Sequence, residues 1–203
     1  MVTLSVRDAQ LEQFCRLIRA RTLEHRQAVK LLLEKGLYSL AFGTLRQELD
    51  SLIRVSYLND ISKKNSPVRA RKLVRDLVEG TRWRRPTHKG KLVPVTDREM
   101  LNAYSRAIGW EKLVYDFGCQ LIHLSNLHDH RETDPVSLMD KQEKLDIIRY
   151  LKDFHSFAGT HLTFEILLEY LPMITDKVCD NTECLITEFE SRMRGQLSSA
   201  VTP

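Results

Sequence analysis

Apolar residues recur along this chain at spacings of three and four, the period that lays a stripe along one face of an α-helix. From about residue 5 to 33, Leu11, Phe14, Cys15, Leu17 and Ile18 are followed after a polar gap by Val29, Leu31, Leu32 and Leu33. This pattern predicts a long amphipathic helix with Arg and Glu on its other face, which Gly36 bends or caps unless it simply sits inside a helical hairpin. A second helix is predicted from about Leu37 to Asn59, with Leu45, Leu49, Leu52, Ile53 and Tyr57 on one face. On another face Arg46, Asp50 and Arg54 succeed one another at i,i+4, the spacing of a charged ladder. Ser66 and Pro67 read as N-cap and first position of a short basic helix to about Glu79, which Gly80 ends.

Residues 81–95 (TRWRRPTHKGKLVPV) break the pattern with Pro86, Gly90 and Pro94, and predict a surface loop without a strand. Thr96 and Glu99 fit a capping box opening a third long helix through Trp110, Leu113, Phe117, Leu121, Leu124 and Leu127, stopped ahead of Pro135. Asp140 and Glu143 offer a second capping pair, for a helix through Leu145, Ile148, Leu151 and His155 that Gly159 terminates. The last helix spans roughly Thr163 to Arg194; Pro172 is expected to kink or divide it, and residues 195–203 to fray. The expected fold is all-α, an up-and-down bundle of five to six helices forming a single domain over residues 1–203. A basic loop sits between the short third helix and the next long helix. Long amphipathic helices in a small domain leave an apolar stripe for a second copy, so a homodimer is expected.

Charge changes this picture in one place. The chain carries +4 overall, but eleven Lys and Arg between Lys63 and Lys91 oppose only Asp76 and Glu79, a local +9 that leaves the remainder at −5. Cations neutralise phosphates and an exposed indole stacks on bases. Arg69, Arg71, Lys72, Arg82, Trp83, Arg84, Arg85, Lys89 and Lys91 are therefore candidate nucleic-acid contacts. A solvated helix face and loop accounts for the same run. No stretch reaches 18 apolar residues, so no membrane span is expected. The N-terminal MVTLSVRDAQLEQF lacks the build of a signal peptide. Cys15, Cys119, Cys179 and Cys184 make no CxxC pair, which reads as reduced thiols in a cytoplasmic protein.

Five of the seven histidines, His123, His128, His130, His155 and His161, fall within 39 residues. Imidazole titrates near neutral pH, so acid–base or metal chemistry is sought there first. His128 and His130 at a helix end, with Asp134 nearby, approach a metal-ligand spacing. A histidine meeting the negative end of a helix dipole accounts for the placement more simply, and no metal or cofactor is expected. Three Arg-x(4–6)-His pairs occur (Arg19–His25, Arg82–His88, Arg149–His155), no more than chance placement supplies. Gly-rich phosphate loops, HExxH, GxSxG and EF-hand loops are missing from the sequence.

The segment EHRQAVKLLLEKGLYSLAFGTLRQELDSLIRVSYLND (Glu24–Asp60) resembles the paired helices of an uncharacterised bacterial family in the broad HEPN group (higher eukaryotes and prokaryotes nucleotide-binding). That family shows Arg-x-x-x-Glu or a near variant ahead of an apolar run ending Tyr-Leu; here Arg46 and Glu48 are two apart. Its Leu-Ser-x-x-His element is matched by Leu124-Ser125-Asn126-Leu127-His128. The resemblance implies a nucleic-acid-interacting protein, with RNA as partner. It further implies metal-independent endoribonuclease chemistry in a bacterial defence or mobile-element setting, where arginine stabilises phosphate charge and histidine moves a proton. On that implication His128, Arg46, Arg54 and Ser125 are the candidate catalytic residues. The alternative is a catalytically inert helical module that binds a protein partner, with the same groups forming a polar network between helices.

Overall fold

The computed structural model describes residues 6–64, 66–104, 110–122 and 128–199. It is an all-α helical bundle. The elements are α1 (Val6–Glu34), α2 (Tyr38–Lys63), α3 (Pro67–Val78), β1 (Arg84–Pro86), β2 (Leu92–Pro94), α4 (Asp97–Tyr104), α5 (Trp110–Ile122), a 3-10 helix (Pro135–Leu138), α6 (Lys141–His155) and α7 (Phe164–Ser199). Among the described residues no helix is long and apolar enough to cross a membrane. The stretch expected to form one helix from Thr96 holds α4 and α5, and the described helices accordingly number seven.

The helix ends follow local chemistry. Gly36 adopts φ 67° after α1, letting its N–H reach Leu33 O at 3.0 Å and the N–H of Leu37 reach Leu32 O at 2.8 Å. Gly80 repeats the device after α3, with Gly80 N to Leu77 O and Thr81 N to Asp76 O. This left-handed cap satisfies carbonyls that the helix cannot, and a Cβ at either glycine would be strained. Thr96 Oγ1 accepts from Glu99 N at 3.2 Å and Asp140 from Gln142 N at 2.7 Å, so these two predicted N-caps form, whereas Ser66 occupies the N-cap position of α3 without a side-chain capping bond. Helix α6 ends earlier than Gly159: Ser156 takes the left-handed conformation, and Phe157 N closes on Leu151 O.

The chain divides into two compact units interleaved along the sequence. The first gathers residues 1–22, 50–106 and 181–203. Its core joins Phe14 and Ile18 of α1, Leu52, Ile53 and Leu58 of α2, Leu73 and Val74 of α3, Met100 and Leu101 of α4, and Ile186, Phe189 and Met193 of α7. Phe14 and Phe189 meet edge to face at 6.1 Å. Three polar side chains of this unit meet one another: Arg192 Nη1 donates to Asn59 Oδ1 at 2.9 Å and to Ser62 Oγ at 3.1 Å, while Asn59 Nδ2 donates to Leu185 O.

The second unit gathers residues 23–49 and 107–180. Phe42 and Leu45 of α2, Val114 and Phe117 of α5, Ile147 and Leu151 of α6, and Leu167 and Leu171 of α7 form its core. Phe42 lies edge-on to Phe117 at 5.2 Å and stacks on Phe164 at 5.9 Å. Arg26 ties α1 to Asp176 and Asp180 of α7.

Four expectations change. Helix α2 does not carry its apolar stripe and its charged residues on separate faces of different exposure; it is buried on almost every side, with Gln47 its one fully exposed residue between Ala41 and Ser62, and Arg46 and Arg54 turn to Tyr115 and Asp97 on other elements. The 81–95 loop contains an antiparallel β1–β2 hairpin. Pro172 does not divide α7, which runs continuously to Ser199. The proline removes one donor, and Leu171, Ile174 and Val178, buried on either side of it, hold the helix in place. Residues 195–199 belong to α7, whereas 200–203 lie outside the described residues.

Phe189→Ala removes a ring that is 0% exposed. A loss of about 3–5 kcal/mol in urea unfolding is expected, against less than about 0.5 kcal/mol for Leu23→Ala on the exposed side of α1.

Candidate functional site

The first unit carries the basic surface. Trp83 sits at its root, 4% exposed, with Nε1 donating to Leu73 O at 2.8 Å and its ring stacked on Tyr57 at 5.9 Å. This corrects the expectation that Trp83 stacks on bases: its faces belong to the interior. Val95 N donates to Trp83 O, closing the base of the hairpin. The strands pair Arg84 with Pro94, Arg85 with Val93 and Pro86 with Leu92, and Gly90 at φ 76° makes the turn. Pro86 and Pro94 lack an N–H, which suits a ribbon of only two strands.

On that ribbon and on α3 the cations fall into two groups. Some are engaged: Lys72 pairs with Asp76 at 2.7 Å, Arg85 with Glu99, and Arg71 Nη2 donates to Met193 O at 2.8 Å. Arg69, Arg75, Arg82, Arg84, Lys89 and Lys91 are exposed, and none forms an ion pair among the described residues. Tyr57 is held above the usual phenol range, first by burial; Arg69 and Arg85 act against this and Glu99 with it. Arg54 is bound to Asp97 at 2.6 Å and stands 5.8 Å from the Trp83 ring. It lines a groove of about 530 Å³ with Arg82, Trp83, Thr96 and Asp97.

Arg46 belongs to the second unit and is 6% exposed. Its guanidinium lies 3.4 Å from the centre of the Tyr115 ring, and Nε donates to Cys119 Sγ at 3.4 Å. Gly118 makes room for it: a Cβ there would fall 3.0 Å from Arg46 Cβ and 3.3 Å from Cδ. Two residues on, Glu48 is 0% exposed and shares a 2.8 Å hydrogen bond with His25 Nδ1. Sequence reasoning did not single out this buried imidazole–carboxylate pair. Its signal lay in α1, where Thr22 and His25 fill the apparent polar gap of the stripe between Ile18 and Val29.

His128 is half-buried and lines a groove of about 410 Å³ with the α1–α2 turn and with His130 and Arg131. The His130 ring stacks on Phe164 at 5.6 Å and meets Tyr38 at 5.4 Å, which fixes it at the groove wall. Arg46 and His128 thus fall in one unit and Arg54 in the other. Ser125, like His123, lies outside the described residues. Asp134 is committed to the backbone, capping the 3-10 helix through Val136 N at 2.8 Å and receiving Phe164 N at 3.2 Å. Among the described residues no group of three side chains could hold a metal ion. The spaced pairs also go separate ways: Arg19 binds Glu183 and Glu190, while Arg149 reaches Asp146 at 3.6 Å.

Gly118→Ala is expected to destabilise by about 1–3 kcal/mol in urea unfolding, because the new methyl meets the root of the Arg46 side chain and not its flexible tip. His155 gives a pH test. It is 7% exposed, with Nε2 3.0 Å from Tyr150 Oη, and its pKa is lowered first by burial and then by Lys177. The unfolded chain therefore binds the proton more readily than the folded one, and this contribution to stability falls away as pH drops through about 6.5. His155→Gln should flatten the thermal midpoint between about pH 5 and 7 relative to the parent. No family model matches the chain, and neither curated proteins nor solved structures give a match.

Proposed function

We propose that this chain is a HEPN-like nucleic-acid-interacting protein that holds RNA on its basic α3–hairpin surface. The observation that carries the proposal is the set of exposed cations without ion-pair partners among the described residues, Arg69 on α3 and Arg82, Arg84, Lys89 and Lys91 on or beside a ribbon rooted by the buried Trp83. Charges free of carboxylates are available to phosphates, and a rooted ribbon presents them with little ordering cost.

The finer reading is metal-independent endoribonuclease activity in a bacterial defence or mobile-element setting, centred on His128. Its support is that His128 shares a groove with a second imidazole, His130, and a cation, Arg131, beside Asp129 and Glu132. A base, an acid and a positive charge are what phosphodiester transfer without a metal requires. The competing reading, an inert module for a protein partner, is favoured by the engagement of both candidate arginines, Arg46 at Tyr115 and Arg54 at Asp97.

Single-stranded RNA binding should weaken with salt, and Arg84→Ala or Lys91→Ala should each reduce the log–log salt slope by about 0.7. Cleavage should persist in chelator and be lost in His128→Ala, with binding retained. RNA binding without cleavage removes the ribonuclease reading; no salt-sensitive binding removes the whole proposal in favour of the inert module.

A further inference from the structure

Helices α5 and α6 of the second unit enclose a groove of about 440 Å³ that none of the candidate catalytic or nucleic-acid residues lines. Its floor is aromatic. Trp110, Phe117 and Tyr150 are buried there, and Phe154 stands 45% exposed at its edge. The Trp110 and Tyr150 rings stack at 5.7 Å, and Tyr150 meets Phe154 at 5.4 Å. Its rim carries Asp116, Glu143, Asp146 and Asp153 against Lys112 and Arg149; Lys112 pairs with Asp116 and Arg149 with Asp146, and the set as a whole keeps two negative charges in excess on a chain whose net charge is +4.

The same rings already seat a cation. Lys177 of α7 places Nζ 3.5 Å from the centre of the Phe154 ring and 5.6 Å from that of Trp110. An ammonium over an aromatic face is held by the ring quadrupole, most strongly where water is partly excluded. Glu111, 0% exposed, adds negative potential from within, acting on both Tyr150 and Lys177. Lys177 and Glu111 offset one another in charge, so the excess of carboxylates on the rim sets the local sign. The volume suits a few side chains.

We propose that this groove docks a partner-protein segment in which lysine or arginine alternates with apolar residues. The apolar side chains lie against Leu113 and the edges of Phe117 and Ile147, and the cationic stems cross Phe154, the exposed ring of the groove, beside the buried Trp110. Their charged heads reach the carboxylates of the rim, the arrangement long cations adopt wherever an apolar floor borders acid. A net positive chain repels cationic peptides in general, so binding here requires local complementarity.

The test uses the full-length, isotope-labelled chain and, as probe, a capped six-residue peptide alternating lysine and leucine. The chain contains two tryptophans, so their indole N–H resonances report separately. The Trp110 signal should shift saturably below about 1 mM peptide while that of Trp83 stays in place. Asp146→Lys with Asp153→Lys, on the outer side of α6, should weaken binding at least roughly tenfold, and the milder Asp153→Asn about threefold. Phe154→Ala should weaken it further through the floor. An unmoved Trp110 signal overturns the proposal, as does an equal shift with a glutamate–leucine peptide or undiminished binding in both aspartate variants. A wild-type dimer that the aspartate variants dissociate also overturns it, by assigning the groove to a second copy.

Discussion

Helix α2 is enclosed on nearly every side, and that enclosure governs much of what surrounds it. An isolated helix of 26 residues gains little from its backbone alone; tertiary burial supplies its stability. Enclosure also means that each polar side chain α2 carries inward needs a partner, because a buried group without one costs about 1–3 kcal/mol. Within the second unit Glu48 meets His25, and Arg46 meets Tyr115 and Cys119. Within the first, Asn59 and Ser62 receive the Arg192 guanidinium. These matches fix which faces of α1, α5 and α7 turn toward α2, something apolar contact alone would leave loosely specified.

The basic surface depends on a similar arrangement at smaller scale. A two-stranded ribbon is not stable by itself in water. Here the Trp83 indole, hydrogen-bonded to α3 and stacked on Tyr57 of α2, makes the ribbon part of the core. Arg85 adds a link to Glu99 of α4. Some cations elsewhere in the chain are drawn into pairs across helices, such as Arg19 with Glu183 and Arg26 with Asp176. The ribbon keeps several of its own outside such pairs. The α5–α6 groove shows the opposite electrostatic character, with an aromatic floor that already receives Lys177. The chain therefore presents two surfaces of opposite sign, each on a different compact unit.

The candidate site was legible only in part. The cation run was evident because charge is counted directly from residues, and most of it is indeed exposed. Trp83 was misplaced because an indole among arginines looks the same in a linear string whether it faces solvent or core. The hairpin was hidden by Pro86 and Pro94, which argue against a central strand yet are tolerated in an isolated ribbon. Arg46 and Arg54 lie on α2 as expected, yet their partners, Tyr115 and Asp97, come from distant residues that no local spacing indicates. His25 was passed over because a histidine between Ile18 and Val29 reads as a polar interruption, although its heptad spacing from Ile18 places it on the buried stripe.

By itself the amino-acid order determined the all-α class, nearly all the helix starts, and the left-handed caps at Gly36 and Gly80. These depend on interactions within a few residues: hydrophobic period, side-chain capping and the conformational freedom of glycine. Only the tertiary structure decided that α2 would be enclosed, that Trp83 would turn inward, and that Ser156 would end α6 ahead of Gly159. It also decided the grouping of helix segments into two units and the seating of Lys177 on Phe154 and Trp110. Each of those outcomes depends on atoms brought together across long stretches of chain, where the energy of contact, and not local preference, selects the partner.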